Sequence, residues 1–155
     1  MNSHSSSACT RGIPAELDRH LAAHGAGEIT STSVYIDRGG ELVTAEAVAG
    51  LAALGGQLDR KVRALELGSR LRRRLEILSA HFREARPRSG AGNLAYREVA
   101  FSLLYFLKGF DRIPDTIPEV GLLDDAMIVQ FVFERHAVAL RAPALRRGRA
   151  WPVDL

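Results

Sequence analysis

The strongest chemical pattern in this 155-residue chain is a group of four aspartates within fifteen residues. Carboxylate oxygens are the ligands that Mg²⁺, Mn²⁺ and Ca²⁺ prefer, so this group predicts either a divalent-metal-binding protein or a metal-dependent hydrolase. The spacing is not that of an EF-hand, which has alternating acidic positions and a central glycine. The competing interpretation, which we favour, is that each carboxylate caps a turn or a helix start. The four residues are Asp111, Asp115, Asp124 and Asp125.

No other group of residues predicts a catalytic site. Cys9 is the only cysteine and lies in a serine-rich leader. His20 and His24 are four residues apart but lack the context of a zinc-binding helix, and no histidine pairs with a serine or cysteine in a known motif. The chain has no glycine-rich phosphate loop. These absences favour a non-enzymatic protein without a cofactor.

The composition predicts one globular domain, because 46% of the residues are hydrophobic and 25% are charged. The net charge is +3, and of 21 basic side chains only Lys61 and Lys108 are lysines. Because arginine is used in place of lysine throughout the chain, the arginines are weak evidence for nucleic-acid binding. No run of about 18 apolar residues predicts a membrane span, and the leader lacks the apolar core of a signal peptide. We therefore expect a cytoplasmic protein, either free or peripheral to the membrane.

The pattern of hydrophobic residues predicts a mainly α, small helical bundle. A short helix is expected over residues 14–24. The exception is a β-like passage at residues 33–43, where Val34, Tyr35 and Ile36 favour extended backbone and residues 37–40 favour a turn. A short β-hairpin or an extended arm fits this passage equally well.

Two helices are predicted in the middle of the chain. Thr44 can cap a helix that runs to Ala53 and is broken by the glycines at 55 and 56. A long amphipathic helix follows over residues 57–86, with either a kink or a close packing point at Gly68 and Ser69. Its polar side, counted over residues 57–88, carries ten basic and four acidic residues. This side is either a solvated face or a surface for anionic lipid, and the scarcity of aromatic residues argues against nucleic acid.

A second apolar segment is expected to form the centre of the bundle. Asn93 can cap a helix whose residues 99–107 are apolar on every side except at Ser102, which indicates burial. Nine helical residues cover about 13 Å, less than half the hydrocarbon thickness of a bilayer. A further helix is predicted over residues 126–140, ended by Pro143. Trp151 can attach the basic tail to the core.

The segment between these two helices predicts a rigid, proline-rich crossover loop. Pro114 and Pro118 restrict the isoleucines before them to extended backbone, so residues 110–123 should not continue the helix. Residues 110–125 carry five acidic residues and one arginine. They could therefore contact the basic helix, within one molecule or between two.

The residues of this loop and its flanks resemble the YkvA-like family, a bacterial domain of unknown function. The resemblance rests on three segments, Leu104–Leu107, Asp111–Asp115 and Gly121–Asp125, and on the pair Ile117-Pro118 between the second and third. It covers residues 96–140. Lys108-Gly109 and Arg112 depart from the usual residues and make the segment more polar. Many members of the family carry longer hydrophobic segments and are treated as membrane-associated. Because this chain lacks such a segment, the resemblance implies membrane association only weakly. The candidate binding residues of the motif are Asp111, Ile113, Pro114, Asp115, Ile117, Pro118, Gly121, Asp124 and Asp125.

These observations predict the organisation of the chain. Residues 1–12 are expected to form a flexible tail, residues 13–142 a single helical domain with the motif region at 93–142, and residues 143–155 a basic tail. The predicted function is a helical interaction or scaffold module. Its expected partner is a second copy, another protein or an anionic membrane surface, and the metal-dependent protein is the alternative.

Overall fold

Helices account for all the regular structure in the part of the chain that the computed structural model describes. That part comprises residues 13–25, 31–112, 118–149 and 151, with the backbone alone at 23–25, 109–112 and 118–123. The prediction of a mainly α protein is confirmed. In chain order the helices are α1 (Ala15–Gly25), α2 (Thr32–Leu42), α3 (Ala45–Ala53), α4 (Gly55–Arg63), α5 (Arg70–Glu84), α6 (Leu94–Arg112), α7 (Pro118–Arg135) and α8 (Ala137–Arg146).

Helix α6 lies at the centre of the fold and contacts α1, α2, α3, α4, α5 and α7. It begins at the Asn93 cap, whose side-chain oxygen accepts a hydrogen bond from the Tyr96 amide at 2.8 Å. Every residue from Val99 to Leu107 is at most 5% exposed. Ser102 satisfies its hydroxyl by donating to the carbonyl of Val99 at 2.7 Å. The predicted core helix is confirmed, and no helix in the described ranges is long and apolar enough to span a membrane.

The predicted β-hairpin at residues 33–43 is wrong, because this passage forms helix α2. The side chain of Ser31 caps the helix by accepting a hydrogen bond from the Val34 amide at 3.2 Å. On the buried side, the Tyr35 ring stacks on His20 with their centroids 4.3 Å apart. Intrinsic β propensity is a weak preference, and packing against the centre of the bundle overrides it here.

The glycines that favoured a turn instead allow close contact between α2 and α6. A Cβ atom at Gly39 would lie 2.5 Å from the ring of Phe101, and one at Gly40 would lie 2.7 Å from Cγ of Glu98. Real Cβ atoms do not approach other atoms so closely. Glycine is therefore required here by the distance between two helices, and both positions are buried.

The predicted long helix over residues 57–86 is two helices, α4 and α5. Gly68 has a φ of +83° between them, a conformation that favours glycine. Ser69 then caps α5 through the Arg72 amide at 3.2 Å. The apolar stripe predicted along this segment does face the core, and its buried members are Leu58, Val62, Leu75, Leu78 and Phe82.

The helices around the predicted crossover are longer than expected. Helix α6 continues to Arg112 and α7 begins at Pro118, so only residues 113–117 of the predicted loop lie outside the described residues. Proline fits at the first position of α7 because the amide at that position lacks a helical acceptor in any case. The helix predicted over 126–140 is likewise divided, with a break at His136, and Pro143 lies inside α8 instead of ending a helix.

The single tryptophan attaches the end of the chain to the bundle. The Trp151 ring stacks on Phe133 of α7, with the centroids 5.2 Å apart and the planes 15° apart. Arg147 and Arg149 both pair with Glu84 of α5. The predicted attachment of the tail by Trp151 is confirmed.

Candidate functional site

Two of the nine motif residues, Asp124 and Asp125, have described side chains. They lie six and seven positions beyond the first residue of α7, so the predicted role of these two carboxylates as caps of a helix start is wrong. Three others lie in helices at positions where only the backbone is described, namely Asp111, Pro118 and Gly121. The remaining four lie outside the described residues, namely Ile113, Pro114, Asp115 and Ile117. The convergence of the four aspartates at one metal site therefore stays a prediction.

Asp125 is a buried carboxyl at the junction of three helices. It is 3% exposed, whereas Asp124 is half-buried. Burial and, to a smaller extent, the neighbouring Asp124 charge raise the pKa of Asp125, Lys61 of α4 opposes the increase, and the resulting pKa is about 7. Lys61 also donates a hydrogen bond from Nζ to the carbonyl oxygen of Leu107 in α6 at 2.7 Å. The motif carboxyl thus belongs to the packing of α7 near α4 and α6.

The chemistry open to Asp125 depends on what surrounds it. A carboxyl that titrates near neutral pH can act as a general acid or base. The same increase in pKa also arises when a carboxyl is simply buried among helices. In the described ranges, no three or more His, Cys, Asp or Glu side chains are arranged to bind a metal ion.

A second buried polar group lies at the other end of α6, around Glu98. Glu98 is 1% exposed, and its Oε1 atom accepts hydrogen bonds from Nε2 of His136 at 2.7 Å and Nη1 of Arg135 at 3.1 Å. Arg135 also donates to Asp37 of α2 at 2.6 Å. Burial lowers the pKa of Arg135, but the hydrogen bonds to Asp37 and Glu98 outweigh burial and raise it above its ordinary value. This group links α2, α6, α7 and α8.

Sequence reasoning missed the Glu98 group. One signal was present, since Glu98 is an acidic residue beside a segment that is otherwise apolar on every side. Its partners gave no signal, because Asp37 and Arg135 are 98 positions apart in the chain. No spacing rule connects residues so distant, and only the packing of α2 beside α7 brings them together.

The arginine-rich segment is less of an open basic surface than its sequence indicates. Arg72 bonds Glu76 at 3.1 Å and also donates to the carbonyl of Leu65 at 3.1 Å. Arg83 bonds Asp59 at 2.9 Å. Several of these arginines therefore hold α4 and α5 together. Those that stay exposed include Arg60, Arg63, Arg70, Arg86 and Arg88.

Helix α8 has one buried and one exposed apolar face. Leu140 and Ala144 are 2% and 6% exposed and pack on the bundle. On the other side, Val138 is 87% exposed and Leu145 is 50% exposed. Arg141 and Ala142 are exposed between them, and Arg146 is exposed next to Leu145. The exposed face of α8, formed by these five residues, therefore combines apolar side chains with positive charge.

Comparison with known proteins identifies the motif region. Residues 95–131 match the family described as a protein of unknown function (DUF1232), which is the YkvA-like family, so the predicted resemblance is confirmed for this part of the chain. The match contains the Asp124–Asp125 pair and most of α6 and α7. No curated protein and no solved structure matches the chain.

Proposed function

We propose that this protein is a non-enzymatic helical module that binds an anionic membrane surface peripherally through the exposed face of α8. The observation that carries the proposal is the combination of Val138 and Leu145, both at least half exposed, with Arg141 and Arg146 on the same helix. An interfacial helix has this composition, with apolar side chains for the acyl boundary and arginines for the anionic headgroups.

The spacing of these residues supports a single binding face. Arg141 and Ala142 follow Val138 by three and four positions, and Leu145 follows Val138 by seven, so these residues lie along one side of α8. The opposite side, with Leu140 and Ala144, is occupied by the bundle. Binding through the exposed face would therefore require no rearrangement of the fold.

The expected strength is that of a reversible peripheral contact. An arginine near an anionic surface contributes about 1 kcal/mol, and full burial of a valine or leucine side chain contributes roughly 1.5–3 kcal/mol. Arg141 and Arg146 are both exposed, and no ion pair with another described residue engages them. The apolar run of α6 contributes nothing to this contact, because its residues lie in the core.

The burial of the motif carboxyl supports a non-enzymatic role. Asp125 is 3% exposed and lies near Lys61, where a solvent-borne substrate has little access. The motif would then act as the rigid centre of the module, and the surface helix α8 would act as its binding element.

Vesicle flotation tests the proposal directly. The wild-type protein should float with vesicles of phosphatidylcholine and phosphatidylglycerol and remain unbound with phosphatidylcholine alone. Replacing both Val138 and Leu145 by Asp should reduce the bound fraction at least tenfold, since it removes the apolar contacts and adds repulsion. Val34→Asp is the matched control, because Val34 is 52% exposed on α2, and it should bind like the wild type.

Two results would contradict membrane binding. The first is a wild-type protein that stays unbound with the anionic vesicles. The second is a stable dimer in size-exclusion chromatography with light scattering that the Val138/Leu145 double variant dissociates while neither protein binds vesicles. In that case the exposed face of α8 would be an interface between copies.

A divalent-metal-binding role, with or without hydrolase activity, is the second candidate. It is favoured by the effect of Asp124 on Asp125, because a pair of carboxylates whose repulsion raises a pKa gains stability from a bound cation. Titration calorimetry with Mg²⁺, Mn²⁺ and Ca²⁺ separates the two candidates. Saturable heat that Asp124→Asn removes would support the metal site, and the membrane module predicts no heat.

A further inference from the structure

A cavity of about 240 Å³ opens between α3, α4 and the end of α5. Its inner part is apolar, because Leu51, Leu58 and Phe82 line it and are each at most 2% exposed. Ala52 and Gly55 also line it, and their small size leaves the space open. An apolar cavity of about 150 Å³ holds a benzene ring. The larger cavity here therefore has room for a ring or for a short acyl chain.

Two exposed arginines lie at the mouth of the same cavity. Arg83 donates from Nη2 to the Asp59 carboxylate of α4 at 2.9 Å and to the carbonyl oxygen of Gly55 at 3.3 Å. Asp59 therefore balances the charge of Arg83. The second arginine is Arg86, two positions beyond α5, and no hydrogen bond or ion pair to another described residue engages it. The mouth thus carries one positive charge that no neighbouring acid balances.

The lining of the cavity selects the kind of molecule that it can bind. The inner side chains have no polar atoms, so a sugar or a nucleotide would lose hydrogen bonds to water on entering. A divalent cation would meet two arginines and a single carboxylate, which is a poor set of ligands. A carboxylic acid with an apolar body fits both parts. Its body would lie against the inner side chains, and its planar carboxylate would match a guanidinium group at the mouth.

The walls favour an aliphatic body over an aromatic one. Leu51, Ala52 and Leu58 are aliphatic, and the one aromatic ring, that of Phe82, already stacks on Tyr96 with the centroids 5.4 Å apart. We infer that this cavity binds a medium-chain fatty acid of about six to eight carbon atoms, with its carboxylate held by Arg86. None of the lining residues belongs to α8, so this site does not rest on the proposed membrane contact.

Calorimetric titration of the full chain with octanoate and with octanol tests the site, because the two share a chain length and differ in charge. Octanoate should bind saturably with one molecule per chain and at least tenfold more tightly than octanol. Arg86→Gln should weaken octanoate binding about fivefold or more and leave octanol binding unchanged. Arg88→Gln is the matched control, since it removes an equal charge from an exposed residue outside the cavity. It should bind octanoate like the wild type.

A second variant tests the apolar part of the site. Ala52→Phe places a large side chain in the cavity and should abolish the binding of both ligands. Ala53→Phe is its control, because Ala53 is the exposed neighbour on α3 and does not line the cavity. Circular dichroism shows whether these variants fold. Arg86 is exposed, so Arg86→Gln keeps the test valid even if Ala52→Phe fails to fold.

Several results would overturn the assignment of this site. One is the absence of saturable heat when octanoate is added to the wild type, and another is equal affinity for octanoate and octanol. A third is an equal loss of affinity in Arg88→Gln and Arg86→Gln, and a fourth is full binding by a folded Ala52→Phe variant. The Val138/Leu145 double variant should retain octanoate binding. A loss of binding in that variant would place the fatty acid on α8 instead of in the cavity.

Discussion

The Oε1 atom of Glu98 lies 2.7 Å from Nε2 of His136, and this contact joins the N-terminal part of α6 to the junction between α7 and α8. The same carboxylate receives Arg135, which also reaches Asp37 on α2. This buried acid therefore connects α6 to α7 and to the residue before α8, and through Arg135 to α2. Because the hydrogen-bond partners of the Glu98 carboxylate all come from outside α6, removing this carboxylate should weaken the packing between helices.

Replacement of Glu98 by Gln should destabilise the fold by roughly 2–3 kcal/mol. The amide is neutral, so Arg135 loses its buried counter-charge, and hydrogen bonds to charged groups contribute about 1.5–3 kcal/mol. Urea unfolding followed by circular dichroism measures the change. Glu41→Gln is the matched control, since the pair between Glu41 and Arg38 is exposed and should contribute less than about 1 kcal/mol. Equal losses in both variants would contradict a structural role for Glu98.

Replacement of Gly39 by Ala should cost about 1–3 kcal/mol, as overpacking of a core does. The added Cβ atom would lie 2.5 Å from the Phe101 ring, which is fully buried and has no free space to move into. Thermal unfolding measures the effect. Gly56→Ala in α4 provides a control of opposite sign, because its Cβ atom would lie 3.8 Å from the nearest atom, Nη1 of Arg60. Alanine should stabilise that position by up to about 1 kcal/mol.

The stability of the protein should depend on pH through Asp125. Its folded-state pKa of about 7 is above the ordinary value of 3.8, so between these values the folded state holds a proton that the unfolded state has lost. The contribution of Asp125 to the free energy of unfolding therefore falls as pH rises from about 4 to about 7. The decrease is at most roughly 4 kcal/mol, and the contribution is constant above that range. Urea unfolding across this range should show the decline.

Asp125→Asn isolates this contribution. The amide does not titrate, so the variant should lose that part of the pH dependence and be more stable than the wild type at pH 8. Asp124→Asn should retain the dependence in a weaker form, because it removes one charge that raises the pKa of Asp125. A wild-type profile identical to that of Asp125→Asn would show that the carboxyl titrates as an exposed group.

Replacement of Lys61 by Met should raise the pKa of Asp125 above about 7, since Lys61 is the positive charge that opposes the increase. The ¹³C resonance of the Asp125 carboxyl in a pH titration reports this value directly. Arg60→Met is the control, because Arg60 is exposed on the same helix and is not among the charges that shift Asp125. An unchanged titration in Lys61→Met would exclude the interaction.

Several parts of the fold could be predicted because their causes are local. Thr44 and Asn93 cap helices through amides three positions ahead, and a capping residue is recognisable by its type alone. The apolar run at residues 99–107 is apolar on all sides, and such a helix must be surrounded by protein or lipid. The motif that runs from α6 into α7 is also recognisable from the sequence, because its residues lie close together in the chain.

The errors arose where distant contacts override local preference. The segment around Tyr35 has the composition of a strand and the glycines of a turn, but it is α2. The reason is that α2 lies against α6 at a distance that excludes a Cβ atom at Gly39. A glycine pair looks the same in sequence whether it serves a turn or a close helix contact. The boundaries near Pro118 and Pro143 were misplaced because proline is tolerated at a helix start and, at Pro143, within α8.

The sequence by itself determined the helical class, the central position of the segment at 99–107 and the family motif, since interactions within about four residues govern caps and periodicity. Only the tertiary structure decided which charges meet. Glu98 is paired, Arg74 is buried over the ring of Phe133 and Asp125 is largely withdrawn from water, although all three are charged residues in or beside amphipathic helices. Pairing and desolvation depend on which helices lie side by side, and no local spacing specifies that arrangement. Asp124 is half-buried and Asp125 is buried for this reason, although the two are adjacent in the chain.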